Sequence, residues 1–287
     1  MTPDIAAQIA AIGRVIDPAK TGAIYAPLHD SEPGANIAVT RDLAYGKAER
    51  HRLDVFAPRD ARALPVLVFV HGGGFTGGNK STAGSPFYDN VPLWAARNGL
   101  IGVNITYRLA PQAPWPAGAE DVGVAVRFIR ETIGQYGGDP EKIVLFGHSA
   151  GATHSGSYAA MSQFHAPDGH GLKGLILTSG IYDLADFPLT DNYRSYFGDD
   201  ATLYPERSPI HGLRKLGIPS MVVYAEHEPL PFIGQFERLH AAMAEAPGGK
   251  PRTLLLSQHN HLSLGYAIGT DDVALTGEVL KFVKDVT

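Results

Sequence analysis

The spacing of apolar and polar positions changes character along this chain. Residues 36–58 alternate, as in Asn36-Ile37-Ala38-Val39-Thr40 and His51-Arg52-Leu53-Asp54-Val55-Phe56. A period of two sends successive side chains to opposite faces, so this stretch predicts an antiparallel pair at a sheet edge. From Pro65 onward the apolar residues come instead in short continuous runs, at 66–70, 100–105, 143–146, 172–177, 221–224 and 253–256. Runs of this kind fit strands covered on both faces.

Helical spacing fills the gaps. Val122, Val126, Ile129 and Ile133 recur before Gly137-Gly138. Phe232, Phe236, Leu239 and Met243 form a second stripe before Pro247-Gly248-Gly249, and Val273, Leu280 and Val283 suggest a C-terminal helix. Strands alternating with helices predict an α/β fold: a mostly parallel sheet of about eight strands with helices on both faces. Residues 1–35 stand outside this alternation. There, 5–16 reads as an amphipathic helix with Ile5, Ile9 and Ile12 on its apolar face, followed by a Gly/Pro-containing loop.

Two strand ends carry candidate chemistry. The run 143–146 leads into Gly147-His148-Ser149-Ala150-Gly151, and a small-residue helical segment follows. Gly-x-Ser-x-Gly between a strand and a helix predicts a turn sharp enough to strain the serine backbone and lift its hydroxyl out of the sheet. Side chains at 147 and 151 would collide across such a turn, and glycine avoids this. The helix behind points N–H groups and the positive end of its dipole at a reacting oxygen. The run 66–70 leads into His71-Gly72-Gly73-Gly74-Phe75. A glycine run lets the backbone approach a ligand and offer N–H donors to a carbonyl oxygen gaining charge. The expected donors are Gly73, Gly74 and Ala150.

Taken in order, His71-Gly72-Gly73-Gly74, Tyr107-Arg108-Leu109-Ala110-Pro111, Gly147-His148-Ser149-Ala150-Gly151 and a late acid–histidine pair resemble the α/β-hydrolase superfamily, specifically its hormone-sensitive-lipase-like esterases. The continuation Phe75-Thr76-Gly77-Gly78-Asn79-Lys80 is also similar to small bacterial esterases and arylformamidases of that superfamily. The resemblance runs from Asn36 to the C-terminus. It implies the α/β-hydrolase fold and acyl-transfer chemistry for 36–287, and a small N-terminal cap over the site for 1–35.

A serine hydroxyl is a poor nucleophile until a base takes its proton, and elbow enzymes place the acid and then the histidine after the serine. Two clusters follow Ser149 at strand ends: Glu226-His227-Glu228-Pro229-Leu230 and His259-Asn260-His261-Leu262-Ser263. His261, followed by an apolar residue and a loop into the last helix, is the expected base, with His259 as the alternative. The family's acid usually lies in Asp-Pro-Leu; here Glu228-Pro229-Leu230 occupies the matching place. Glutamate can orient and charge the imidazole as aspartate does, with a longer reach. Glu226, one strand period earlier, is the alternative acid. The same cluster contains His-x-His, but a metal needs further ligands with defined geometry, and the triad accounts for these residues together with the elbow. Neither a metal nor a cofactor is expected.

The remaining candidates have plain structural readings. His71 braces the glycine loop, His148 lines the pocket, and His154 packs on the following helix. Asp183 shapes its loop and Arg108 braces loops through charge-assisted hydrogen bonds. Trp115 helps shape the site, and Lys80 on the polar loop 76–85 has reach toward the pocket.

Composition narrows the classes. The net charge of −5 comes without a basic patch, which argues against nucleic acid as a partner. With no cysteine, a thiol nucleophile and a disulfide framework are both excluded. The N-terminal residues lack the pattern of a signal peptide and no apolar run is long enough to span a membrane, so a cytoplasmic location is expected. The expectation is a serine carboxylesterase acting on small or short-chain esters. An arylformamidase or amidase with the same triad is the enzymatic alternative, and a non-catalytic binding protein on the hydrolase fold the other. The partner is a small-molecule ester, and homodimerisation is left open.

Overall fold

A computed structural model describes residues 1–32 and 34–287. One eight-stranded sheet runs through it in the order β1-β2-β4-β3-β5-β6-β7-β8. The strands are β1 (Ile37–Ala44), β2 (Arg52–Pro58), β3 (Leu64–Val70), β4 (Ile101–Ile105), β5 (Gly138–His148), β6 (Gly174–Thr178), β7 (Ser220–His227) and β8 (Arg252–Asn260). β1 and β2 pair antiparallel at one edge, and β2 meets β4 antiparallel. β3 through β8 are parallel. The period-two region and the continuous runs land on strands, but the run 253–256 lies on β8 at the other sheet edge, where Thr253 and Leu255 are exposed rather than covered on both faces.

The helices are α1 (Pro3–Ile12), α2 (Pro18–Tyr25), α3 (Asn90–Arg97), α4 (Ala117–Thr132), α5 (Ala150–Ala160), α6 (Asp191–Phe197), α7 (Tyr204–Arg207), α8 (Ile210–Leu213), α9 (Leu230–Ala242), α10 (Ser263–Tyr266) and α11 (Ala274–Val286). None is long and apolar enough to cross a membrane among the described residues.

Alternate residues of the central strands feed two cores. On β3, Val66, Val68 and Val70 pack with Val122, Val126 and Ile129 of α4 and Leu239 of α9. Leu67 and Phe69 face the other way, onto Val91 of α3 and Val279, Phe282 and Val283 of α11. This two-sided burial is why the runs are continuous rather than alternating. Chain direction across the sheet reverses around β3: β4 lies on one side and β5 on the other. In open α/β sheets the crevice at such a switch, beyond the strands' carboxyl ends, is the usual ligand site.

The N-terminal segment differs from the expectation in detail. α1 ends at Ile12, where Gly13 takes a positive φ of 76°, and the residues read as a loop form a second helix, α2. Pro18 at the start of α2 and Asp17, which accepts from the Lys20 N–H at 2.9 Å, set that start. Ile9 is fully buried in the second core, with Ile5 and Ile12 packed against it. The apolar face of α1 thus covers the sheet itself, while Ile16 in the loop beyond it and Pro18 at the start of α2 reach the cavity described below. Val273, read as part of the C-terminal stripe, precedes α11 and is 67% exposed.

Candidate active site

Ser149 lies between β5 and α5 with φ 55° and ψ −121°, a backbone conformation non-glycine residues rarely adopt. The turn leaves no room beside it. A Cβ on Gly147 would lie 2.4 Å from the Gly151 carbonyl oxygen, and one on Gly151 would lie 2.1 Å from that of Val70. The Ser149 N–H donates to the Thr178 carbonyl at 2.8 Å, fixing the turn to the end of β6.

The side chains of Ser149, His261 and Glu228 form one hydrogen-bonded row. Ser149 Oγ and His261 Nε2 are 2.8 Å apart, and His261 Nδ1 and Glu228 Oε2 are 2.7 Å apart. Facing a carboxylate, Nδ1 carries the proton, so Nε2 is free to accept the serine proton. Glu228 and His261 are buried, while Ser149 is half-exposed at the cavity. Glu228 Oε1 accepts from the Ser179 hydroxyl. Arg14, from the loop after α1, donates to the Glu228 carbonyl at 3.0 Å.

The alternatives lie elsewhere. Glu226 is exposed, and its Oε2 accepts from the Gln258 N–H at 2.8 Å. β7 ends at His227, so the two-residue parity between 226 and 228 breaks before Glu228 turns inward. His259 is buried with Nδ1 at 2.9 Å from the Ser257 carbonyl and Nε2 at 3.4 Å from Asp272. That contact helps hold the Asp272 carboxylate down to about 2, and it engages the His259 ring away from Ser149. His259 and His261 therefore diverge, and no cluster of metal-ligating side chains occurs among the described residues.

The glycine loop follows β3. Gly73 has φ 143° and Gly74 φ 60°. A Cβ on Gly73 would lie 2.1 Å from the Gly77 carbonyl oxygen, whose own N–H donates back to the Gly73 carbonyl at 3.0 Å. Among the described residues, the N–H groups of Gly73, Gly74 and Ala150 have no hydrogen-bond acceptor, which leaves all three available to a ligand. Gly72 packs so close to Ser149 that an added Cβ would meet the serine Cβ at 3.0 Å.

Three buried histidines frame the site without entering the row. His71 donates from Nδ1 to the Gly72 carbonyl at 2.6 Å and stacks on Tyr107 at 4.4 Å between ring centroids. The Tyr107 hydroxyl donates to the His71 carbonyl at 2.8 Å. His148 donates from Nε2 to the His261 carbonyl at 2.9 Å and accepts from the Tyr88 hydroxyl at 3.3 Å. His154 packs among Phe75, Tyr107 and Tyr196. Desolvation holds all three neutral, at about 3 for His71 and His154 and about 4 for His148. His148 lines the cavity and also anchors the backbone of His261, a link the sequence alone does not reveal.

Other singled-out residues are structural. Arg108 pairs with Asp121 at 2.7 Å and with Glu120 at 3.0 Å. Asp183 pairs with Arg238 at 3.2 Å and accepts from the Ala185 N–H. Lys80, on a polar loop that sequence alone does not place, is buried between Asp54 at 2.7 Å and Asp42 at 2.8 Å rather than at the pocket. Two carboxylates satisfy its charge better than an apolar cavity would. Trp115 packs against the aromatic cluster of Phe75, Tyr196 and Phe197 rather than lining the cavity.

Ser149 and His261 open onto a cavity of ≈ 470 Å³. Its walls come from Ile16 and Pro18 before and at α2, from Gly72, Gly73 and Gly74, from Tyr88, from Thr190, Asn192 and Tyr193 around α6, and from Leu262 and Tyr266. The wall around α6 had no counterpart in the sequence reading. That segment is held by Phe187, Tyr196 and Phe197 packing on Phe75 and Phe232, and its short helices leave no long periodic stripe.

Comparison with known proteins agrees with this architecture. A family model described as BD-FAE matches residues 53–177. Esterase LipQ of Mycobacterium tuberculosis is 31% identical over 231 residues, covering 73% of this chain and 53% of LipQ. Carboxylesterase NlhH of the same species is 39% identical over 101 residues, covering 35% of this chain and 30% of NlhH. The chain thus spans about half the length of LipQ and less of NlhH. Among solved structures, an esterase of Pyrobaculum calidifontis superposes with a TM-score of 0.74 at 24% identity over 100% of both chains. Esterase B of Lactobacillus Rhamnosis gives 0.76 at 17% identity over 99% of this chain and 95% of that one. At these identities the structural likeness speaks to the fold.

Proposed function

We propose that this chain is a serine carboxylesterase of the α/β-hydrolase superfamily, acting on small or short-chain esters. The observation that carries this reading is the continuous row from Ser149 through His261 to Glu228 beside unpaired backbone N–H groups. The esterase names of the relatives support it. Ser149 Oγ attacks the ester carbonyl carbon as its proton passes to His261 Nε2. Glu228 holds the Nδ1–H tautomer and stabilises the imidazolium that forms. The N–H groups of Gly73, Gly74 and Ala150 receive the oxyanion. The tetrahedral intermediate collapses, the ester C–O bond breaks, and His261 gives its proton to the leaving alkoxide. A water, deprotonated by His261, then attacks the acyl-enzyme and releases the acid, restoring Ser149.

The cavity of ≈ 470 Å³ favours small substrates, sitting in the lower part of the usual ligand-site range of about 300–1,000 Å³. Among the described residues no Asp, Glu, Lys or Arg lines it: beside His148 and His261 the lining is aromatic, apolar and polar, with Tyr88, Tyr193, Tyr266, Ile16, Thr190 and Asn192 prominent. The test is a series of nitrophenyl esters of increasing acyl length, a matched aryl formamide, and a fluorophosphonate probe. Labelling at Ser149 and fastest turnover of short esters are expected. Preference for the formamide would move the reading to an amidase, and an unlabelled, inactive protein would remove the serine mechanism.

A further inference from the structure

The end of β6 touches both ends of the row. Thr178, its last residue, accepts the Ser149 N–H on its carbonyl at 2.8 Å and donates from Oγ1 to the Gly147 carbonyl at 3.0 Å. The next residue, Ser179, donates its hydroxyl to Glu228 Oε1. Since Oε2 is engaged by His261, Ser179 is the hydrogen-bond donor for the other carboxylate oxygen, and among the described residues no second donor reaches it. Ser179 is 6% exposed and has φ 54°, in the region that favours glycine. Its N–H donates to the Val223 carbonyl of β7 at 3.2 Å, so the strained residue is tied to the strand that leads into Glu228.

This arrangement answers a problem created by the glutamate. Compared with aspartate, its extra methylene adds a rotor between backbone and carboxylate. A buried carboxylate with one oxygen unsatisfied is also costly and free to turn. We propose that Ser179 is a positioning residue for the triad acid: its hydroxyl fixes the rotation of the Glu228 carboxylate, so that Oε2 meets His261. Together with Thr178 it sets the span between nucleophile and acid from one strand end. The proposal rests on the serine-esterase reading above. A backbone strained at a non-glycine residue fits this role, because glycine would relieve the strain and lose the hydroxyl.

The ionisable groups around Glu228 are His261 from the loop after β8, His148 at the end of β5, Tyr182 beyond β6, and Arg14 at the Glu228 carbonyl. Of these, only His261 hydrogen-bonds the carboxylate itself. The test compares Ser179→Gly and Ser179→Ala with the wild type. Glycine accepts the positive φ, while alanine keeps the Cβ, and both remove the donor. Each is expected to lower kcat on a short ester at least tenfold. KM should stay within about twofold, because Ser179 does not line the cavity. The acid limb of kcat/KM should move to lower pH, since a carboxylate that turns away from His261 no longer stabilises the imidazolium. The glycine variant should melt no lower than the alanine variant.

Variants with kcat within twofold of wild type and an unmoved acid limb would overturn the proposal. So would an activity loss that follows melting temperature with the limb unmoved. Wild-type turnover and fluorophosphonate labelling are measured first. If they fail, the esterase reading falls; if they succeed and Ser179→Gly behaves as wild type, only the positioning role falls.

Discussion

Replacing Glu228 by glutamine changes one atom of a buried group and should remove most of the turnover. Glutamine can sit in two ways. With its carbonyl oxygen toward His261, the Nδ1–H tautomer survives, but the negative charge that stabilises the forming imidazolium is gone. With its NH2 toward His261, Nδ1 must become the acceptor. Nε2 then carries the proton and cannot receive one from Ser149, 2.8 Å away. Loss of the correct tautomer in a Ser–His–Asp triad lowers turnover by about 10⁴-fold. Glu228→Gln is therefore expected to lose roughly 10³- to 10⁴-fold, about 4–5.5 kcal/mol of transition-state stabilisation at 1.36 kcal/mol per tenfold. Glu226 supplies the internal control. Its exposed carboxylate accepts one backbone N–H, from Gln258, and a glutamine oxygen can accept the same bond. Glu226→Gln should stay within about twofold, as surface substitutions usually cost under ~0.5 kcal/mol. Both are measured as kcat/KM on one nitrophenyl ester, with circular dichroism to verify folding. If Glu226→Gln is the more damaged, or Glu228→Gln keeps more than about a tenth of wild-type turnover, the assignment of the acid is wrong.

Gly151→Ala should lower the melting temperature, because its Cβ would meet backbone oxygens of Val70 at 2.1 Å and His71 at 2.5 Å, and such overpacking costs about 1–3 kcal/mol; an unchanged melt would show that the elbow can spread. His71, His148 and His154 are held neutral by burial, so between their ordinary value of ~6.5 and their folded values of about 3 to 4 the unfolded chain binds more protons. Their contribution to stability is full above ~6.5 and declines as pH falls through that window, so urea midpoints should drop on acidification, and flat midpoints would contradict this. Ile9→Ala should cost about 2–5 kcal/mol of stability, because Ile9 is fully buried in the second core. Ile16→Ala, 39% exposed on the cavity wall, should instead shift KM across the ester series with little change in melting temperature, and the opposite split would reverse the roles given to the two positions.

The sheet was legible because burial on two faces leaves an unmistakable pattern. Leu67 and Phe69 face one core while Val66, Val68 and Val70 face the other, so the whole run must be apolar. The elbow and glycine loop were legible for a steric reason: their backbones approach so closely that Gly73, Gly147 and Gly151 admit no Cβ without contact near or below 2.5 Å. Charge pairing was not legible. Lys80 sits on a polar loop, and only the fold brings Asp42 and Asp54 to it from the sheet edge. The choice between Glu226 and Glu228 also escaped periodicity, since the strand stops between them. Ser179 gave no signal, because its role depends on a carboxylate distant in sequence.

On the esterase reading proposed above, the reacting groups and the cavity walls are held in place by different means. Ser149, the glycine loop, Glu228 and His261 all stand at or just past the ends of β5, β3, β7 and β8, where backbone hydrogen bonds of the sheet fix them. The cavity walls come from four other segments: the residues before and at the start of α2, Tyr88 before α3, the stretch around α6, and Leu262 and Tyr266 at α10. These are fastened largely by side chains. Asn260 donates to Thr21 at 3.0 Å, His29 meets the Tyr266 carbonyl at 2.8 Å, and the α6 region rests on stacked aromatics such as Phe75 and Tyr196, 4.6 Å between centroids. A change in a wall side chain therefore alters the space offered to the ester without moving the strand ends. A change at a strand end moves the reacting atoms, for which misplacement by about 1 Å can cost 10²-fold. Substrate range should accordingly be adjustable at Ile16, Asn192 and Tyr193 while the response to a fluorophosphonate stays constant. Loss of labelling by a folded Asn192→Ala variant would show that the wall and the row are coupled after all.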